Sequence, residues 1–387
     1  MKRGLRQATL VLALLGLAAL LVVAGGLVPT RASAGHWAVT RWALQFAMQR
    51  SIATQSLGVE VPPLEDPALI LTGAGHYDFG CRSCHGAPGE PPPRIARAML
   101  PPPPDLAPRI RASNPRKLFH VVKHGLKFTG MPAWPAQERD DEVWAVVAFL
   151  LAYPELDGAA YRRLVDRSSL PDPALQALTP TASAPTPAAV QEQCARCHGH
   201  DGLGREGGAF PRLAGQRRAY LERALLAYAD GRRPSGIMEP LAAGLDPALI
   251  GELAGYYSRL PAASAPPPAA PARPEVGADM LELGRRIAHE GIVGQRLPAC
   301  VECHGPAGRR SKPEYPLLAG QPASYLEQQL SLFRTGARGG SAYSHLMEHV
   351  APRLKPEQAR AVAHYFATLP PDAPAPGVDD AREGDLP

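Results

Sequence analysis

This chain of 387 residues predicts an all-α fold of three consecutive units behind an apolar N-terminal helix. Three observations lead there. A Cys-x-x-Cys-His segment occurs at Cys81, at Cys194 and at Cys300; two proline-rich stretches lie between the copies; and the amphipathic runs keep a helical period, with no useful β-alternation. At the N-terminus, Lys2, Arg3 and Arg6 precede a charge-free apolar run from Ala8 to Val28, long enough to span a bilayer. Residues 1–34 are therefore expected to be a retained signal anchor with its transmembrane helix over 8–28. The alternative is cleavage after Ala34, because Ala32-Ser33-Ala34 has the small-x-small form of a processing site. The basic residues favour a cytoplasmic N-terminus, although Arg31 and Arg41 blunt that bias. The segment His36–Gln55, with Trp37, Trp42 and Phe46, admits two readings: aromatics at headgroup level, or a helix docking on the first unit.

The stretches Ser168–Ala189 and Pro261–Pro274 have linker composition. The units then fall at 56–167, 188–261 and 275–371, followed by an acidic, proline-rich tail at 372–387. The second and third units repeat each other. Phe210-Pro-Arg-Leu-Ala-Gly-Gln216 matches Tyr315-Pro-Leu-Leu-Ala-Gly-Gln321, and Tyr220-Leu-Glu222 matches Tyr325-Leu-Glu327. Ala254–Pro261 matches Ala363–Pro370, so residues are inserted around Gly339–His345, and an internal duplication is the simplest account. Helical faces are predicted at Leu221, Leu225 and Tyr228, and again at Leu326, Leu330 and Phe333. Each unit closes on a helix. Asp140 or Asp141 caps the first, with Trp144, Val147 and Leu151 on its apolar side; Asp246-Pro247 opens the second and Pro356 the third.

All six cysteines, Cys81, Cys84, Cys194, Cys197, Cys300 and Cys303, belong to these motifs. Two thiols a turn apart suit addition to the two vinyl groups of one porphyrin, and the next histidine can meet the iron. Structural zinc would require a second ligand pair for each motif, and disulfides would not explain the histidines. Three covalently attached haem c groups are expected, with His85, His198 and His304 on iron. The sixth ligand separates a carrier from a reactive site, since a thioether closes the iron and raises its potential. Met131 in Gly130-Met131-Pro132, Met238 and Met347 hold the same ordinal position between motif and closing helix. Met99 competes with Met131 but lies close behind its motif. His120, His124, His200, His345 and His349 are the other candidates, with core or surface roles the commoner reading.

In all three units the chain resembles the class I cytochrome c family. Residues 188–371 are similar to dihaem cytochrome c4, on Cys-x-x-Cys-His-Gly, aromatic-Pro-x-Leu-Ala-Gly-Gln, Tyr-Leu-Glu and a methionine before a capped helix. The first unit, with Cys-His-Gly-Ala-Pro-Gly and Gly-Met-Pro, resembles membrane-anchored monohaem modules. The extra first unit and the longer Gly-rich loop before Met347 depart from a plain c4 pattern. The resemblance implies a proline near each proximal histidine (Pro211 and Pro316 in matching contexts, Pro88 less well placed). It implies attachment of haem outside the bacterial inner membrane, in the periplasm, and a respiratory carrier with no catalytic residues. A quinol-oxidising complex or a dehydrogenase would be the donor, and a terminal oxidase or soluble cytochrome the acceptor. The alternatives are a cytochrome subunit of a periplasmic dehydrogenase and, behind it, a haem peroxidase or reductase. Units two and three are expected to pack as a pair, with unit one moving more independently on the longer linker. The net charge of +5, without a basic run interleaved with aromatics, gives no sign of nucleic-acid binding.

Overall fold

The computed structural model describes residues 2–28, 30–31, 33–165, 194–262, 276–305 and 310–371. Among the described residues every regular element is helical, apart from two isolated bridges. Helix α1 (Lys2–Ala24) has none of its apolar window buried, and Arg3–Ala24, at a mean hydropathy of 2.4, is long and apolar enough to cross a membrane. Helix α2 (Ala38–Gln55) lies against a helix of the first unit at residues 115–124, yet Trp42 and Phe46 stay exposed and stack at 5.9 Å. It docks along one edge, as the second reading of that segment expects, and turns its aromatics outward.

Helices α3 (Pro67–Gly80), α4 (Pro115–His124), α5 (Asp140–Ala152) and α6 (Gly158–Val165) build the first unit around a core that includes Tyr77, Val146, Phe149 and Tyr161. Asp66 caps α3, accepting the Ala68 N–H at 2.9 Å, with Pro67 in the first turn. Helices α3 and α5 cross so closely at Gly73 that a Cβ there would overlap the Ala145 carbonyl. The third unit repeats the crossing, with Gly284 of α10 (Ala278–Glu290) against the Ala361 carbonyl of α13 (Pro356–Thr368). The linker Ser168–Ala189 with the unit ends that flank it (166–193), the second linker beyond Ala262 (263–275) and the tail 372–387 lie outside the described residues.

Helix α5 departs from expectation. Arg139, without a side-chain cap, precedes it, and Asp140, Asp141 and Glu142 occupy its first turn, where their charge complements the helix dipole. Its burial is not a single stripe: Val143 and Ala145–Leu150 are all buried, while Leu151 is 37% exposed. The reason is a position between α3, α4 and the second unit.

The second unit comprises α7 (Arg218–Ala229), α8 (Met238–Ala243) and α9 (Pro247–Arg259), the last capped by Asp246 on the Ala248 N–H at 2.7 Å. The third comprises α10, α11 (Ala323–Thr335), α12 (Ser344–Val350) and α13. A pseudo-twofold exchange joins them. Gln321 accepts from the Arg212 N–H and donates to the Arg212 carbonyl (3.1 and 2.8 Å), while Gln216 accepts from the Leu317 N–H and donates to its carbonyl (2.8 and 3.0 Å). The shared Ala-Gly-Gln motif is thus an interface motif. The insertion before Met347 adds a second tie between the two units. Arg232 donates to the Gly340 carbonyl at 2.6 Å, and no side chain would fit at Gly340 (φ 71°) over the Arg232 backbone.

Unit one is not loosely hung. Thr72 donates to the Ala209 carbonyl at 2.8 Å, Arg205 to the Leu164 carbonyl at 2.5 Å, and Arg139 to the Pro234 carbonyl at 2.8 Å. Gln328 of the third unit donates to Asp141. The expectation of an independently moving first unit, drawn from the length and composition of the linker, is corrected by these contacts.

Candidate haem sites and the seams between them

Each motif folds as a short helical turn, at Arg82–His85, Arg196–His198 and Val301–His304, which puts both sulfurs on one side. Burial pushes the Cys81, Cys194 and Cys300 thiols up to about 12 and Cys197 to about 11. Such burial disfavours the thiolate form that a redox pair or a zinc site would use. His198 Nδ1 donates to the Pro211 carbonyl at 3.0 Å and His304 Nδ1 to the Pro316 carbonyl at 2.9 Å. A carbonyl can only accept, so the bond fixes the tautomer and leaves the Nε2 lone pair for a metal. Burial lowers the pKa of both imidazoles, further favouring the neutral form. In the first unit the carbonyl facing His85 is that of Pro104, not Pro88, and His85 Nδ1 makes no full hydrogen bond.

The second and third sites open into one continuous cavity of about 890 Å³, lined by Cys194, Cys197, His198, Met238, Cys300, Cys303, His304 and Met347. The predicted helical faces line it as well: Leu221, Leu225 and Tyr228 from α7, and Leu326, Leu330 and Phe333 from α11. Of the rival ligands in the third unit, His345 is exposed, while His349 also lines the cavity and spends its Nδ1 on the His345 carbonyl at 2.7 Å. In the first unit a Cβ at Gly130 would run into the Met99 methyl, so Met99 and Met131 meet at one loop. His120 and His124 lie ring to ring at 4.8 Å on α4.

Buried polar groups left over in the cavity suit a large anionic ligand. Arg233 and Arg338, equivalent in the repeat, are both buried and share the Gln329 oxygen. Among the described residues neither has a carboxylate partner, their bonds going to Gln329 and Tyr220, and Arg338 Nε has no hydrogen-bond partner. Burial opposes ionisation of Tyr220 between them, but the two guanidiniums outweigh it and pull the phenol down to about 8. Two buried cations facing an apolar cavity call for acidic groups on whatever fills it. His76 of the first unit, 7% exposed, also borders the cavity with an unpartnered Nδ1. Two carboxylate-bearing porphyrins fit these residues.

The first and second sites meet at a seam. Asp78 of α3 pairs with Arg82 of the first motif (3.1 Å) and with Arg196 of the second (3.4 Å), and accepts from Tyr161 at 2.8 Å. A Cβ at Gly75 would lie 3.5 Å from Cys197 Sγ, so the second attachment point packs on α3. Cys81 caps the same helix six residues on, about 9 Å along the axis at 1.5 Å per residue.

Residues 68–150 match the family described as cytochrome c oxidase, cbb3-type, subunit III, and residues 284–370 match the family cytochrome c. The thiosulfate dehydrogenase electron acceptor of Thiomonas intermedia is 38% identical over 49% of this chain and 82% of its own length. Cytochrome c4 of Azotobacter vinelandii is 31% identical over 46% of this chain and 84% of its own. The chain belongs to the class I c-type cytochromes. A solved thiosulfate dehydrogenase from Marichromatium purpuratum is 42% identical over 46% of this cytochrome, which spans 36% of that chain, at a TM-score of 0.40. The three Cys-x-x-Cys-His motifs accordingly bind haem c covalently, and the cytochrome is an electron carrier.

Sequence reasoning missed Asp78, Glu142, His76, Arg233 and Arg338. The last two carried a signal in their matching places after Gly231 and Gly336. The others carried none, since they act across units far apart in sequence.

Proposed function

We propose that this cytochrome is a membrane-tethered, periplasmic conduit of three sites arranged in the order one, two, three. It would take electrons from a periplasmic dehydrogenase and deliver them toward a terminal oxidase. Reversible one-electron cycling of iron is the chemistry each haem supplies when bound. The chain's own residues hold the sites next to one another. The observation that carries the reading is continuity: one carboxylate, Asp78, joins the first two attachment turns, and one cavity contains the second and third sites. Met131, Met238 and Met347 are proposed as sixth ligands opposite His85, His198 and His304. Helix α1 is proposed as the tether, with the exposed Trp42 and Phe46 beside the membrane.

A relative named for accepting electrons from thiosulfate dehydrogenase makes that enzyme the donor to try first. The oxidised full-length protein is mixed with thiosulfate dehydrogenase and thiosulfate, and in parallel with a quinol-oxidising complex and quinol. Complete reduction by the first mixture supports the dehydrogenase donor. Reduction by the second alone moves the donor to the quinol pool. A protein that stays oxidised in both has neither role.

A further inference from the structure

We infer that Glu142 of the first unit is a positioning residue for the sixth ligand of the second site, acting through Ser235 on Met238; this rests on the reading of Met238 as that ligand. The loop Pro234–Ile237 leads directly into Met238 and is held by the first unit. Ile237, 7% exposed, packs in the hydrophobic core of unit one beside Trp134 and Val146 rather than in that of its own unit. A Cβ at Gly236 would overlap the Trp134 indole, so that position admits only glycine.

Glu142 is the hub, 5% exposed. It pairs with Arg139 at 2.9 Å, and its Oε2 accepts the Trp134 indole N–H at 3.0 Å. Across the seam its Oε1 accepts the Ser235 hydroxyl at 2.6 Å and its Oε2 the Gly236 N–H at 2.7 Å. Ser235, 2% exposed, in turn accepts the Met238 N–H at 3.0 Å and the Ile237 N–H at 3.3 Å. Each bond fixes the next. With its proton committed to the carboxylate, the Ser235 hydroxyl offers its lone pairs to the backbone of Met238, where α8 begins. Charge-assisted bonds of this kind in a buried setting are short and directional. The arrangement sets where the Met238 backbone starts, and hence where its thioether can reach.

Among the described residues the third unit has no equivalent. Its ligand loop carries the Gly-rich insertion, and Ser344 there bonds to Glu348 of its own helix at 3.3 Å. The clamp therefore gives the second site, of the repeated pair, a dependence on unit one that the third site lacks.

The test uses the full-length cytochrome with all three haems. Ser235→Ala removes the relay without altering charge and leaves the Glu142–Arg139–Trp134 cluster in place. Redox titration should show the potential of one site falling, with the weak long-wavelength band of methionine-bound Fe(III) losing that site's share and the other two sites unmoved. Glu142→Gln is read on the band alone. Removing a carboxylate beside the site raises its potential, whereas a loosened thioether lowers it. Should Glu142→Gln fail to assemble, Ser235→Ala decides. Met238→Ala serves as the reference. If Met238→Ala changes the band and Ser235→Ala leaves band and potential as in the parent, the clamp is wrong and the ligand reading stands. If Met238→Ala itself changes neither, the ligand reading falls and the clamp with it.

Discussion

Single side chains decide what each site can do. A carbonyl from Pro211 or Pro316 holds His198 or His304 in one tautomer, and burial keeps the ring neutral. The methionines proposed as sixth ligands would form the other half of each site. Replacing Met131, Met238 or Met347 singly by Ala should open one iron, lower one potential and let carbon monoxide bind the reduced form, checked by redox titration and absorption spectroscopy. Met99→Ala is the control for the first site; if it, and not Met131→Ala, produces these changes, the two methionines exchange roles. His76 bears on pH. Its burial, aided by Arg139 and opposed by Glu142, holds its pKa below the ordinary 6.5. Below that pH the unfolded chain binds the proton first, so stability falls with falling pH. His76→Phe should flatten this fall in melting temperatures measured from neutral pH to about pH 5.

Helices carry the sites because a few positions allow them to touch. At Gly73 helices α3 and α5 of unit one, and at Gly284 helices α10 and α13 of unit three, meet backbone to backbone. Either glycine replaced by alanine would press a methyl on a carbonyl that cannot retreat, costing about 1–3 kcal/mol or more. A lowered melting temperature in thermal scans, with the altered spectrum confined to the affected unit, is the expected outcome. Helix α3 has a second use. It carries Cys81 at its end, Gly75 under Cys197 and Asp78 between two attachment turns. A helix of the first unit is thereby part of the second site.

Over the whole molecule, the units form one body rather than a pair with a tethered companion. A fragment beginning near Ala188 loses Glu142 and the core that receives Ile237, and leaves the buried Ser235 and Gly236 donors without their acceptor. It is expected to keep two covalent haems, as the Gln216 and Gln321 exchange is internal to it, but to show a lowered potential at the second site against the full chain. Matching potentials in the two proteins would contradict this. The N-terminus offers a separate test. A retained α1 should keep the protein in the membrane fraction through a salt wash, and a mature N-terminus at Gly35 would show cleavage instead.

The local chemistry was legible in the sequence because it is written in short spacings. The Cys-x-x-Cys-His motifs gave the cofactor, the helical period gave the cavity-lining faces of α7 and α11, and the repeat gave the pairing of units two and three. Aspartate and proline announced α9. The proline composition of Ser168–Ala189 said only that this stretch has linker character, and nothing about what the units on either side of it touch. The shared carboxylate of Asp78, the placement of Ile237 in a neighbouring core and the clamp from Glu142 to Met238 join residues whose separation in sequence carries no pattern. Their contacts exist because burying apolar faces brought the units together and left each buried donor in need of an acceptor. Only the tertiary structure could decide which acceptor that was.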